Sequence, residues 1–131
     1  MSALVDTSVV VRYLTGDPPE LAERAAGILD GVQELLIPPV VLAEAAYVLT
    51  SVYGVERKTV VDVLVEFIQK ENIHLLGLDK AAVAEGLLLC RPSRRVSFAD
   101  ALVWAHARCA GVPRIYTFDR RFPDREVSLL D

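Results

Sequence analysis

The fold class is decided by a stretch near the start of the chain, where a short apolar run passes directly into a helical pattern. Residues 3–8 read Ala3-Leu4-Val5-Asp6-Thr7-Ser8. The three apolar residues predict a buried strand, and apolar positions at helical spacing from Val9 to Leu14 predict a helix that ends near Gly16. A strand followed at once by a helix is the first half of a βαβ unit, which indicates a parallel sheet.

The same alternation continues along the rest of the chain. Further strands are predicted at residues 35–37, 73–76, 115–117 and 127–130, and further helices at 20–29, 39–53, 56–70, 79–89 and 97–111. Pro38-Pro39 opens one of these helices, Asp79 is expected to cap another, and Gly111 is expected to end the last. We therefore predict a single α/β domain over residues 1–131, a three-layer α/β/α sandwich around a central, mainly parallel sheet of about five strands.

Composition excludes several classes of protein. With 53% hydrophobic residues and a net charge of −4 among 131 residues, the chain is predicted to be globular rather than disordered. Pro38-Pro39 interrupts the one weakly charged segment, residues 35–55, so no membrane span is expected. Two isolated cysteines, Cys90 and Cys109, and no secretory signal indicate a reducing, cytoplasmic location.

The charges are distributed unevenly. Residues 91–125 hold eight of the 14 basic residues and only three of the 18 acidic ones. A local excess of arginine favours a polyanionic partner such as nucleic acid, because neutralising phosphates supplies most of the non-specific affinity for such a polymer. The alternative at this point is a set of solvated loops.

Four carboxylates lie in apolar surroundings: Asp6, Glu44, Asp100 and Asp119. Asp6 and Asp119 each follow a predicted strand, and so belong at the edge where parallel α/β sheets bind ligands. Glu44 and Asp100 fall in the first or second turn of helices that could begin at that edge. An ionised carboxylate without a partner is costly to bury, so convergence of the four would create a cation site.

Each acid also has a structural explanation. Asp6 can cap the following helix, Asp100 can complete a capping box opened by Ser97, and Asp119 can form a turn with Arg120 and Arg121. Glu44 can be a polar position of a buried helix. His74, in an apolar strand, is expected to belong to the core.

Four short motifs, in this order, resemble a PIN domain of the VapC toxin type. They are Leu4-Val5-Asp6-Thr7-Ser8, Pro39-x-x-Leu42-x-Glu44, Phe98-x-Asp100-Ala101-Leu102 and Thr117-x-Asp119-x-x-Phe122. The resemblance covers essentially the whole chain and implies an α/β/α fold with a Mg²⁺ or Mn²⁺ site. It also implies endoribonuclease activity on single-stranded RNA, and a homodimer held inactive by a small antitoxin protein.

The resemblance assigns roles to individual side chains. Asp6 and Asp100 would be the most direct metal ligands, and Asp119 and Glu44 would complete the cluster directly or through water. Ser8 and Thr117 would help to orient water or phosphate, and Arg120 and Arg121 are the best candidates for phosphate contacts. One or two ions remain possible, as do a housekeeping RNA-processing nuclease and a non-catalytic binding module.

A haloacid-dehalogenase-like phosphatase is disfavoured by one position. Such an enzyme also has an aspartate after its first strand, but it needs a second one two residues later. Here that position is Ser8.

Overall fold

The computed structural model describes residues 2–131, in which a pair of helices follows each of the first three strands and the last two strands follow each other directly. The strands are β1 (Ala3–Leu4), β2 (Leu35–Ile37), β3 (Ile73–Leu75), β4 (Arg114–Tyr116) and β5 (Ser128–Leu130). The helices are α1 (Thr7–Thr15), α2 (Pro19–Leu29), α3 (Pro39–Ser51), α4 (Arg57–Ile68), α5 (Lys80–Leu89) and α6 (Phe98–Ala110). Every predicted strand and helix is present, with ends shifted by no more than two residues.

Backbone hydrogen bonds group the strands into two parallel sheets. The first has the order β1-β2-β3, with Leu36 between Leu4 and His74, and the second pairs β4 with β5, with Ile115 beside Leu129. The predicted parallel α/β architecture is confirmed. The five strands divide as three and two, because no ladder between β1 and β4 forms within residues 2–131. Because β1 has only two residues, it has few backbone groups with which to pair a second neighbouring strand.

The helices bury one apolar face each, as their periodicity predicts. In α4 the buried side chains are Val60, Val61, Leu64, Phe67 and Ile68. This is the set expected from apolar residues recurring every three or four positions. None of the helices within residues 2–131 is long and apolar enough to cross a lipid bilayer.

The helix ends follow their predicted signals. Asp79 caps α5 by accepting a hydrogen bond from the amide of Ala82 at 2.8 Å, and Pro39 is the first residue of α3. Gly111 ends α6 with a φ of 68°, a left-handed conformation that costs glycine little because it has no Cβ.

Two sequence expectations about exposure are wrong. His74 does not belong to the core: 48% of its side chain is exposed, and its Nε2 lies 2.6 Å from Glu34 Oε2. Alternation along β3 explains this, because Ile73 and Leu75 point inward and the residue between them must point outward. The first strand is not buried as predicted: Ala3 and Leu4 of β1 are both exposed, and only Val5, which follows them, is buried.

Candidate active site

Asp6 lies directly after β1 and caps α1. Its Oδ2 accepts hydrogen bonds from the hydroxyl of Ser8 at 3.0 Å and from the backbone amide of Ser8 at 3.4 Å. These bonds, led by the Ser8 hydroxyl and joined by the amides of Thr7 and Ser8, hold the pKa of Asp6 below its ordinary value. The carboxylate is exposed to solvent, contrary to the apolar setting suggested by its neighbours.

Glu44 faces the same space as Asp6. Both line a depression of about 270 Å³, together with Thr7, Ser8, Val11, Arg12 and Val48. Glu44 is exposed because it occupies the outer side of α3, whose inner side is filled by Val41, Ala45 and Leu49. This shared depression is the strongest feature of the site, because a hard divalent cation prefers carboxylate oxygens such as the two residues offer.

Among residues 2–131, no positive side chain forms an ion pair with Asp6 or Glu44. Arg12 lines the same depression, but its guanidinium donates to the carbonyl oxygen of Asp17 and to the hydroxyl of Tyr53. Within residues 2–131, neither Asp6 nor Glu44 forms an ion pair, and the Glu44 carboxylate accepts no hydrogen bond. The depression therefore offers carboxylate oxygens to a cation from outside.

Asp100 stands in the first turn of α6 and is half-buried. The hydroxyl oxygen of Ser97 caps the helix by accepting a hydrogen bond from the Asp100 amide at 3.0 Å. The reciprocal bond of a capping box is not formed, and across residues 2–131 the Asp100 carboxylate has no hydrogen-bond donor or cationic partner. Helix capping thus explains Ser97, while the Asp100 carboxylate contributes only its favourable negative charge in the first turn of α6.

The segment that leads into Asp100 is held by Arg57, a residue that sequence reasoning missed. Its guanidinium donates hydrogen bonds to the carbonyl oxygens of Cys90 and Val96, and its Cζ lies 4.5 Å from the centre of the Phe98 ring. A single arginine at the start of an amphipathic helix carries no sequence signal for such a role. Its partners are more than 30 positions away and are mainly backbone atoms.

Cys90 lies near Asp100 but is not suited to nucleophilic chemistry at neutral pH. Burial, opposed by the charge and hydrogen bonding of Arg57, raises the pKa of its thiol to about 11. The Sγ donates to the carbonyl oxygens of Gly86 and Ser97, each at 3.6 Å. The cysteine fills the core beside α6.

Asp119 lies beyond the end of β4 in two consecutive turns. Its amide donates to the hydroxyl of Thr117 at 3.0 Å, and its Oδ1 accepts from the amide of Arg121 at 2.8 Å. The predicted turn is confirmed, and Thr117 fixes the backbone of Asp119. Asp119 borders a different depression from that of Asp6 and Glu44, one it shares with Thr117 and Arg120.

The four carboxylates do not form one compact cluster. In the part of the chain that the structure describes, no three histidine, cysteine, aspartate or glutamate side chains are close enough to hold a metal ion together. The chemistry of the donors does fit Mg²⁺ or Mn²⁺, which prefer carboxylate oxygen and retain several waters. Asp6 and Glu44 offer such oxygens on one surface, and Asp100 and Asp119 are ligands only if they approach that pair.

The arginine-rich segment carries many positive groups without acidic partners. Arg91 pairs with Asp62 and Arg108 with Glu126. Over residues 2–131, the remaining arginines of the segment are exposed and form no ion pair: Arg94, Arg95, Arg114, Arg120, Arg121 and Arg125. Unpaired guanidinium groups are available to phosphates, which they can bind through two parallel hydrogen bonds.

Comparison with known families agrees with this architecture. The chain matches the PIN domain family over residues 3–127, and it belongs to that family. No curated protein matches its sequence significantly.

Proposed function

We propose that this protein is a divalent-metal-dependent endoribonuclease whose acidic site comprises Asp6, Glu44, Asp100 and Asp119. PIN domains are commonly metal-dependent nucleases. The observation that carries the proposal for this chain is that Asp6 and Glu44 line one depression and form no ion pair within residues 2–131. An acidic pair left open to solvent suits a site that a cation completes.

The side chains of the proposed site have different roles. Asp6 and Asp100 are proposed as the most direct ligands of Mg²⁺ or Mn²⁺, and Glu44 and Asp119 complete the set. Ser8 orients the Asp6 carboxylate, and Thr117 orients the backbone at Asp119. When bound, a divalent ion supplies Lewis-acid chemistry, activating a water and neutralising charge at the scissile phosphate.

Single-stranded RNA is the proposed substrate. Six exposed arginines of residues 91–125 form no ion pair with any described residue, so this segment offers free positive charge despite a net charge of −4. Arg120 and Arg121 follow Asp119 directly, so they can hold phosphates next to the acidic site.

The proposed biological role is that of a toxin in a type II toxin-antitoxin system, acting in the cytoplasm as a homodimer and restrained by a small antitoxin. A depression of about 210 Å³ between α1 and α2 supports a protein partner. Its apolar lining residues are Val9, Leu21, Ala25 and Ile28, beside the polar Ser8, Arg12 and Arg24, and Leu21 and Ile28 are exposed. Exposed apolar surface of this kind favours association with another chain.

The reaction is tested by the chemistry of its products. Purified protein freed of any partner should cut RNA in single-stranded regions with Mg²⁺ or Mn²⁺, and EDTA should stop it. Hydrolysis by water leaves a 5′-phosphate and a 3′-hydroxyl. A 2′,3′-cyclic phosphate product would show instead that the RNA's own 2′-hydroxyl attacks, and it would overturn the mechanism.

The biological role needs a separate test. Expression of the chain alone should arrest growth, and co-expression of a small protein encoded in the adjacent reading frame should restore it. Harmless expression of soluble protein that cuts RNA in vitro would instead indicate a housekeeping nuclease.

A further inference from the structure

Two aromatic side chains on and just beyond β4 are strongly exposed. Phe118 is 92% exposed and Tyr116 is 79% exposed. Scattered exposed apolar residues are normal on protein surfaces. These two are close in sequence to the proposed catalytic Asp119 and lie within the arginine-rich segment. They therefore suit a ligand that offers both flat apolar faces and negative charge.

Phe118 borders a depression that Tyr116 does not. The depression measures about 340 Å³, and its lining includes Thr117, Phe118, Asp119, Arg120 and Leu129. Phe118 therefore lies at the border of this depression, directly before the backbone turn that carries Asp119. A group seated against the ring would lie beside the acidic site.

The charges around this depression favour a nucleobase inside it and a phosphate outside it. Asp119 and Asp131 both line it, and their carboxylates disfavour a phosphate there while they can accept hydrogen bonds from the N–H groups of a base. Arg120, also in the lining and free of any ion pair to a described residue, offers a partner for the adjacent phosphate. Stacking of a base on an aromatic ring beside a cationic group is the usual way in which proteins bind single-stranded nucleic acid.

We propose that Phe118 stacks on a base of single-stranded RNA in a nucleobase subsite next to Asp119, while Arg120 holds the neighbouring phosphate. This inference rests on the proposed function and adds the residue that grips the substrate's base. Since every base has an aromatic face, the subsite contributes affinity with little preference for sequence.

The subsite is tested by RNA binding without catalysis. Fluorescence anisotropy in EDTA measures the Kd of wild-type protein for a short, labelled, single-stranded RNA. Phe118→Ala should weaken binding by roughly 5- to 100-fold, the range typical of one lost stacking contact. Phe118→Trp should retain binding, because indole stacks as well as a phenyl ring.

Tyr116→Ala is the matched control, because it removes an exposed aromatic ring two residues from Phe118 that does not line the depression. Its Kd should stay within about twofold of the wild-type value if the subsite is where the structure indicates. An unchanged Kd in Phe118→Ala, or an equal loss in Tyr116→Ala, would overturn the proposal. A Phe118→Ala variant that binds RNA normally but loses self-association in sedimentation would assign the ring to a protein interface instead.

Salt dependence separates stacking from charge. Arg120→Ala should reduce the slope of log Kd against log salt by the amount expected for one lost phosphate contact. Phe118→Ala should leave that slope unchanged. A reduced slope in Phe118→Ala would contradict a stacking role.

Failure of this inference differs from failure of the proposed function. If Phe118→Ala binds normally while wild-type protein still cuts RNA with Mn²⁺, only the subsite is wrong. If wild-type protein binds RNA through Phe118 but never cuts it, the subsite stands and the nuclease proposal fails. If wild-type protein does not bind RNA at all, the subsite is overturned, and the cleavage assay decides the function separately.

Discussion

The indole Nε1–H of Trp104 donates a hydrogen bond to the carbonyl oxygen of Arg125 at 2.8 Å. Trp104 is completely buried in α6, the helix whose first turn carries Asp100. Arg125 belongs to the segment that begins at Asp119 and leads into β5. This contact therefore fixes the segment of one proposed ligand against the helix of another.

Replacing Trp104 should weaken this connection. Trp104→Phe removes the hydrogen bond and leaves unfilled volume, so the free energy of unfolding should fall by about 1–3 kcal/mol in urea titrations. Val103→Ala, a change at an exposed position of the same helix, should cost less than about 0.5 kcal/mol. Equal urea midpoints for Trp104→Phe and wild type would show that the contact contributes nothing to the free energy of unfolding.

Gly86 permits the close approach of α5 and α6. A Cβ at this position would lie 2.8 Å from the carbonyl oxygen of Ala101, nearer than real Cβ contacts allow. Gly86→Ala should destabilise the protein by about 1–3 kcal/mol, because the backbone of α6 must shift.

Gly27 provides the control for Gly86, since it also lies in a helix but has open space where a Cβ would be. Gly27→Ala should stabilise the protein by up to about 1 kcal/mol through the better helix propensity of alanine. Thermal unfolding compares the two variants, and a stable Gly86→Ala protein would contradict the tight packing.

Arg57 should prove necessary for the order of the segment before Asp100. Arg57→Ala removes two hydrogen bonds from a charged group and the contact with Phe98, which should cost about 2–4 kcal/mol. Arg57→Lys should recover only part of this loss, because an ammonium cannot reproduce the planar fork of a guanidinium. Hydrogen exchange should become faster at residues 90–97 in both variants, and unchanged exchange there would refute the anchoring role.

The network of Asp30, Lys70 and Tyr13 sets a pH window for part of the stability. The hydrogen bond from Lys70 lowers the pKa of Asp30, and the bond to Asp30 raises the pKa of Lys70. Desolvation, followed by the bond to Asp30, raises the pKa of Tyr13. The contribution of Asp30 is present above its ordinary pKa of about 4 and is lost as the pH falls through its lowered value.

The contributions of Lys70 and Tyr13 to stability depend on pH in the opposite direction. They are fully present below the ordinary pKa values of about 10 and are lost as the pH rises through the raised ones. In NMR titrations, Lys70→Met should return the pKa of Asp30 toward its ordinary value. An Asp30 pKa that stays equally low in this variant would show that Lys70 is not the cause.

The sequence predicts the elements of this fold well because their signals are local. The apolar period of α4, the prolines before α3 and the cap at Asp79 each depend on residues within one or two turns. The division of the strands into two sheets, and the exposure of Glu44, depend on how distant elements pack. Neither could be derived from neighbouring residues.

The site shows the same contrast between local and distant contacts. The positions of Asp6 and Asp119 after strands follow from the alternation of apolar runs, and the shared depression of Asp6 and Glu44 agrees with the predicted edge. The sequence around Arg57 does not predict its anchoring role, because this residue binds backbone carbonyl groups more than 30 residues away. The roles of the four acids remain predictions.

The measurement that tests the central claim most directly is the rate of RNA cleavage with Mn²⁺ by wild type, Asp100→Asn and Glu85→Gln, all purified in the same way. Loss of even an outer-shell partner of a metal ligand costs about 10- to 100-fold, so Asp100→Asn should cut at least about 100-fold more slowly. Glu85→Gln neutralises an exposed acid of α5 and should cut at the wild-type rate. Mn²⁺ should also raise the melting temperature of wild type more than that of Asp100→Asn. Equal cleavage by Asp100→Asn and wild type, with equal stabilisation by Mn²⁺, would contradict the proposed site.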